Sequence, residues 1–221
     1  MEAYELIPLL DYKRRAHFEY FSSLAQPYAG LTVSIEIQDF LQVVKRKGYP
    51  FFLTFLYCVS RSANRIPELR QRIGEEGIRQ YRHCPTSHTV ALEDGTYCYC
   101  ALRSDLPFED YLPYAQAAQE AARTARSLED GEEGESLFFV SCLPWVSYEA
   151  LVQPTPFPAD SNPRITWGAY RWEGERAVLP VSLLCHHALV DGLHMARFYQ
   201  ALREELDRFA AEQGDIQVPS P

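Results

Sequence analysis

Ala177-Val178-Leu179-Pro180-Val181-Ser182-Leu183-Leu184-Cys185 followed by His186-His187-Ala188-Leu189-Val190-Asp191-Gly192 is the most informative stretch of the chain. The first nine residues are almost wholly apolar and read as a buried strand. Beyond Gly192, apolar residues recur at Leu193, Ala196, Tyr199, Leu202, Leu206 and Phe209, the spacing of one helix face. The two histidines therefore fall where a strand ends and a helix begins. A side chain there can stand at the mouth of a cleft while the sheet fixes its backbone. Imidazole titrates close to neutral pH and can take a proton from a hydroxyl or thiol and return it. Asp191 sits where a carboxylate caps a helix and suits its dipole, and Gly192 permits an unusual backbone angle or a close approach. An isolated pair of histidines is more often a satisfied core pair, with such an aspartate merely a cap. All seven positions together, in this context, read as chemistry.

Working outward, Leu31, Val33, Ile35 and Ile37 alternate with polar residues as in a half-buried strand. A helix through Phe40, Leu41 and Val44 is stopped by Gly48 and Pro50, and Pro50 can open the next one. That next helix carries Phe51, Phe52, Phe55, Leu56 and Val59 and is expected to be buried, with a short helical turn starting at Pro67. Residues Ile78 to Arg103 read as strands broken by the turn Glu93-Asp94-Gly95. Phe108 to Leu128 is an exposed helix, Glu129 to Glu135 an acidic surface loop, and Leu137 to Val140 a short apolar strand. Gln153 to Pro163 contains four prolines and forms an irregular connection before two strands around Glu173-Gly174. With no repeat, linker or low-complexity segment, residues 1–221 read as one α/β domain.

The chain has 221 residues, 47% of them hydrophobic and 23% charged, the balance of a globular protein. A formal net charge of −9 argues against nucleic acid or an anionic membrane as a partner. No apolar run reaches the roughly 18 residues of a membrane span. Met1-Glu2-Ala3-Tyr4-Glu5 lacks the order of a signal peptide, so a cytoplasmic protein is expected. The six cysteines then read as reduced thiols packed like small hydrophobes.

His186-His187 through Asp191-Gly192 resembles the HHxxxDG signature of chloramphenicol acetyltransferases and of dihydrolipoyl acyltransferase catalytic domains. The likeness to the former covers nearly the whole chain. Arg14-Arg15-Ala16-His17-Phe18-Glu19 is similar to their R-[KR]-x-H-F-E segment. Phe138-Phe139-Val140-Ser141 with Leu143-Pro144-Trp145-Val146-Ser147-Tyr148 resembles their FFVSxxPWVSF, and Thr166-Trp167-Gly168-Ala169-Tyr170 their T-M-G-K-Y strand. The resemblance implies a two-layer α/β sandwich with a mixed sheet and packed helices. It also implies acetyl transfer from acetyl-CoA to a hydroxyl, without metal, in a homotrimer whose sites lie between subunits.

It further implies roles for single residues. His187 would be the general base, its imidazole oriented by its own backbone carbonyl. Asp191 would pair with Arg14 and hold the loop, and Thr166 would hold a water near the tetrahedral intermediate. Counting from Trp145, the family serine that donates to the oxyanion falls at Ala150, which has no donor. Loss of one such donor typically costs about 10²–10³ in rate. Of the acceptor pocket, a family tyrosine or phenylalanine falls at Phe21, and two larger apolar positions fall at Ala25 and Ala29. The smaller side chains reshape the pocket, so chloramphenicol and other hydroxylated small molecules are equally consistent acceptors.

Four other readings compete. A dihydrolipoyl-type acyltransferase would need a lipoyl domain upstream, for which residues 1 to 12 leave no room. A weak or inactive family member that binds a small ligand without efficient turnover is suggested by Ala150. His83, Cys84, His88, Cys98 and Cys100 offer nitrogen and sulfur atoms for zinc, but their spacing matches no compact zinc site and alternating strand cysteines are usual core residues. No metal is expected. Cys185 shares a strand side with His187, and the resemblance makes it a bystander rather than a nucleophile.

Overall fold

A computed structural model describes residues 3–130 and 134–214. Strand β1 (Tyr4–Ile7) and helix α1 (Arg15–Ser22) precede β2 (Tyr28–Glu36), α2 (Gln38–Lys47) and α3 (Phe51–Asn64). A 3-10 turn (Pro67–Arg70) leads to β3 (Gln71–Ile73), β4 (Ile78–Tyr81), β5 (Thr86–Ala91), β6 (Tyr97–Leu102) and α4 (Phe108–Ala125). The chain ends through β7 (Phe138–Leu143), β8 (Arg164–Gly168), β9 (Arg171–Glu173), β10 (Arg176–His186) and α5 (Gly192–Gly214). The expected α/β class with a mixed sheet is what these elements form.

The main sheet has the order β2-β10-β8-β7-β5-β6, with β9 also paired to β10. Strand β10 runs antiparallel to β2 and β8, whereas β7 is parallel to both β8 and β5. A second sheet, antiparallel and ordered β1-β4-β3, stands apart from it.

Alternation fixes which face of the main sheet is covered. Ala177, Leu179, Val181, Leu183 and Cys185 of β10 join Ile165 and Trp167 of β8 in the core. Helices α2, α3 and α5 pack on one another over that face. Trp167 is fully buried, its ring 5.0 Å from Phe55 and 5.3 Å from Phe52. The intervening residues face the other way, and Ser182 of β10 and Thr166 of β8 bring hydroxyls to that face. Thr32 and Ser182 share a hydroxyl hydrogen bond of 2.8 Å, and Ser182 donates to Tyr148 Oη at 3.2 Å. One face of the sheet is thus built to meet helices, and the other carries hydroxyls and loops.

The structure departs from the sequence reading in several places. Helix α5 buries His194, Met195, Phe198 and Ala201 beside Tyr199, Leu202, Leu206 and Phe209, while Leu193 and Ala196 face outward. The polar His194 belongs to the inner face because carboxylates wait there, which an apolar stripe could not register. Leu31 is likewise exposed, and only Val33, Ile35 and Ile37 of its run pack on the core. Pro50 caps α3 rather than occupying its first turn. Strand β1 and helix α1 went unread because neither has a fully buried side chain.

Candidate active site

Strand β10 delivers His186 and His187 to a tight turn, and Asp191 follows at the threshold of α5. The turn is tied at both ends. The His187 amide donates to the Pro27 carbonyl at 2.7 Å, and the amides of Leu189 and Val190 donate back to the His186 carbonyl. The two histidines have opposite surroundings. His186 is buried, its Nδ1 accepts from the Ala188 amide at 3.3 Å, and burial lowers its pKa to about 4. It is neutral and structural.

His187 is half-buried, and its Nδ1 lies 2.9 Å from the carbonyl oxygen of Val190. A carbonyl only accepts, so Nδ1 carries the hydrogen and Nε2 is left with its lone pair. The orienting carbonyl is Val190's, three residues on, and not the histidine's own as the resemblance implied. The Phe21 ring from α1 lies on the imidazole with centroids 3.9 Å apart. A packed ring on one side and a carbonyl at Nδ1 hold the imidazole in one orientation.

Arg14, just before α1, donates from Nη1 to Asp191 Oδ2 at 2.6 Å. Asp191 Oδ1 accepts from the Leu193 amide at 3.0 Å, so the same carboxylate caps α5. Partial burial opposes ionisation of Asp191, but the Arg14 hydrogen bond and the nearby His194 and Arg14 charges prevail and lower its pKa. His194 lies between Asp191 and Glu68, its Nδ1 accepting from the Asp191 amide at 3.1 Å and its Nε2 3.5 Å from Glu68 Oε1. Burial outweighs these carboxylates and lowers the His194 pKa. The family motif did not single out Glu68 or His194, yet together they brace the Arg14–Asp191 pair.

Thr166 lies elsewhere. It pairs with Ser182 in β10, five residues before His187, a distance of roughly 16 Å along the strand. Thr166 is buried, its carbonyl accepts from Tyr148 Oη at 2.9 Å, and its Oγ1 donates to Gln153 Oε1 at 3.2 Å. It lines a cavity of about 430 Å³ on the face of the sheet away from the helices, with Ser87, Tyr99, Asp130, Phe139 and Gln153 among its walls. Nothing in the sequence gathered these residues, because they come from four strands and two loops.

The remaining predicted positions divide. Ala150 is exposed in the connection after β7, and Ala25 is exposed between α1 and β2. Ala29 is half-buried, and its side chain packs on the core. The hydroxyls near Ala150 are engaged, since Ser147 Oγ accepts from Arg171 at 3.2 Å and Tyr148 donates to Thr166. Cys185 is fully buried, and burial pushes its thiol pKa well above the ordinary range, so it is neither a thiolate nor a wall of the cleft. Among the described residues no three potential metal ligands gather, and Cys98 and Cys100 are core residues of β6.

The model of a family described as chloramphenicol acetyltransferase matches residues 2–203. The chain belongs to the chloramphenicol acetyltransferase family. It is thereby an acyltransferase. A chloramphenicol acetyltransferase of Klebsiella sp. is 28% identical over 209 residues, covering 93% of this chain and 95% of its own length. One from Proteus mirabilis is 27% identical over 205 residues, covering 91% and 94%. Among solved structures, a chloramphenicol acetyltransferase superposes with a TM-score of 0.83 at 23% identity, over 92% of this chain and 99% of that one. The Azotobacter vinelandii dihydrolipoamide acetyltransferase follows with a TM-score of 0.65 at 18% identity, over 89% and 87%. These two share the family's fold. No helix among the described residues is long and apolar enough to cross a membrane.

Proposed function

We propose that the chain transfers the acetyl group of acetyl-CoA to a hydroxyl of a small acceptor, with His187 as general base. The observation that carries this reading is the fixed tautomer of His187, with Nδ1–H donated to Val190 and Nε2 free to accept. Nε2 takes the hydroxyl proton as the oxygen attacks the thioester carbon. The C–S bond breaks, and the imidazolium returns the proton to the departing thiolate. The Val190 carbonyl steadies the transient positive charge on the ring. Thr166 holds a water near the tetrahedral intermediate.

The working unit is a cytoplasmic homotrimer, with each site shared by two subunits. What supports sharing is the separation of His187 from the Thr166 cavity along β10, too wide for one alcohol to span. Trp145, Val152 and Phe157 stand exposed on the connections near that cavity, an apolar surface suited to a neighbouring copy. Six free cysteines suit a reducing compartment. The test is release of free thiol from acetyl-CoA with hydroxylated acceptors, beside a His187→Ala control. Undiminished release in that variant would remove His187 from the mechanism.

Ala150 favours a second reading, a protein that binds its ligands with little turnover. Tyr148 commits its hydroxyl proton to the Thr166 carbonyl, and the exposed Ser147 is held at its oxygen by Arg171. Measurable binding of both acetyl-CoA and chloramphenicol, with no thiol released, would select it.

A further inference from the structure

The cavity that holds Thr166 has an uneven charge. Two ionic groups reach it, Arg164 and Asp130. Arg164 is already matched, since it donates from Nη1 and Nη2 to the two oxygens of Asp160 at 2.8 Å each and lies over the Phe139 ring. Asp130 is half-buried and accepts from the Ser87 hydroxyl at one oxygen, Oδ1. Among the described residues no arginine, lysine or histidine pairs with it. The arginines around the C-terminus of α4 are paired elsewhere, Arg123 with Glu120 and Arg126 with Asp94. Beside Asp130 stands Tyr99, another wall of the cavity.

A half-buried carboxylate with no cation on its own chain can take one from a ligand, and an ammonium group supplies a charge-assisted hydrogen bond. Ser87, Thr89, Ser141, Thr166 and Gln153 place polar groups in walls that are otherwise mostly apolar.

We infer that the acceptor is a small cationic amino alcohol, held through its ammonium group by Asp130 while its hydroxyl is acetylated. The inference rests on the acetyl-transfer reading above and names the acceptor class for that site. It also assigns the product. An amine held as ammonium has no lone pair for attack, so the hydroxyl oxygen forms the bond to the acetyl carbon and the sulfur leaves. The ester results, and the ammonium stays charged.

The test compares two acceptors that differ in one charge: chloramphenicol, and the primary amine left when its dichloroacetyl group is removed. A second pair, 2-amino-1-phenylethanol and its N-acetyl derivative, guards against poor fit of the first. Thiol release at low ionic strength is expected to give the amine a kcat/KM at least about tenfold above its neutral partner, the advantage falling as salt rises. Asp130→Asn is expected to erase most of that ratio, and Asp130→Glu to restore part of it. Mass spectrometry of acid-quenched product, in which the protonated amine cannot take the acetyl group by O→N migration, is expected to find an ester. A neutral partner preferred in both pairs overturns the inference, as does a preference that survives Asp130→Asn, or an amide product. If no acceptor releases thiol, calorimetric binding of the same four compounds is read by the same ratio. That outcome would indict the transfer reading, whereas reversed ratios indict Asp130 alone.

Discussion

The Nδ1 atom of His187 lies 2.9 Å from the carbonyl oxygen of Val190, within a turn whose other amides point back at His186. The ring's tautomer is therefore set by the backbone, and no carboxylate takes the orienting place. Asp191, the nearest acid in sequence, is instead committed to Arg14 and to the amide of Leu193.

Removing the His187 imidazole eliminates the proton acceptor and leaves the turn's backbone bonds in place. His187→Ala is expected to lower acetyl transfer by about 10²–10⁴, the usual contribution of a positioned general base. The fold should survive, because His187 makes its tertiary backbone bond through the amide to Pro27. Thiol release and a thermal melt on the same sample check both halves.

The Arg14–Asp191 pair is partly buried, with side-chain exposures of 19% and 32%. It lies between the surface pairs that contribute almost nothing and the buried ones that cost about 3–5 kcal/mol to break from one side. Asp191→Asn and Arg14→Ala are each expected to cost about 2 kcal/mol in urea unfolding. The double variant should cost less than the sum, since each single change strands the other partner. Activity should fall further than stability does, because Asp191 also starts the helix that follows the catalytic turn.

How much of this was legible depends on where each signal resides. Strand β10, the turn and helix α5 could be read because apolar periodicity changes from strand to helix around two histidines. Asp191 as a cap followed from its type and place. The Val190 carbonyl could not be read, because every residue has one and only the turn geometry aims it. Glu68 lies more than a hundred residues from His194 in sequence, and their meeting is made by tertiary packing alone. The Thr166 cavity was equally hidden: Thr166 was named through a motif, but Gln153, Tyr99 and Asp130 gather around it only when β5, β6, β7 and β8 pair. Strand β1 failed for a different reason. Four residues at a sheet edge, none of them fully buried, carry no pattern.

Acid should unfold this protein through two neutral histidines. His88 and His186 are buried, and burial lowers each pKa to about 4. Unfolded imidazole titrates near 6.5, so between those values the unfolded chain binds more protons than the folded one. Stability is full above pH 6.5 and falls as pH drops towards 4. His88, whose Nε2 accepts from the Gln119 amide at 2.9 Å, is expected to account for roughly 2 kcal/mol of loss by pH 5. Urea midpoints at pH 7 and pH 5 should show a smaller drop in His88→Gln than in the parent.

Two half-sites on one chain make a prediction that no self-contained site would. Thr166 pairs with Ser182, about 16 Å before His187 along β10, so in the proposed trimer a complete centre would join His187 of one subunit to the Thr166 cavity of the next. His187→Ala destroys the first half, and Thr166→Trp should fill the second. Each variant alone is expected to be inactive, since every centre in its trimer lacks one half. When the two are unfolded together and refolded at equal amounts, every mixed trimer gains one junction at which an intact His187 meets an intact cavity. Three-quarters of randomly assembled trimers are mixed, and each has one complete centre in three, so about a quarter of the parental activity should return. A site built within one chain would return none.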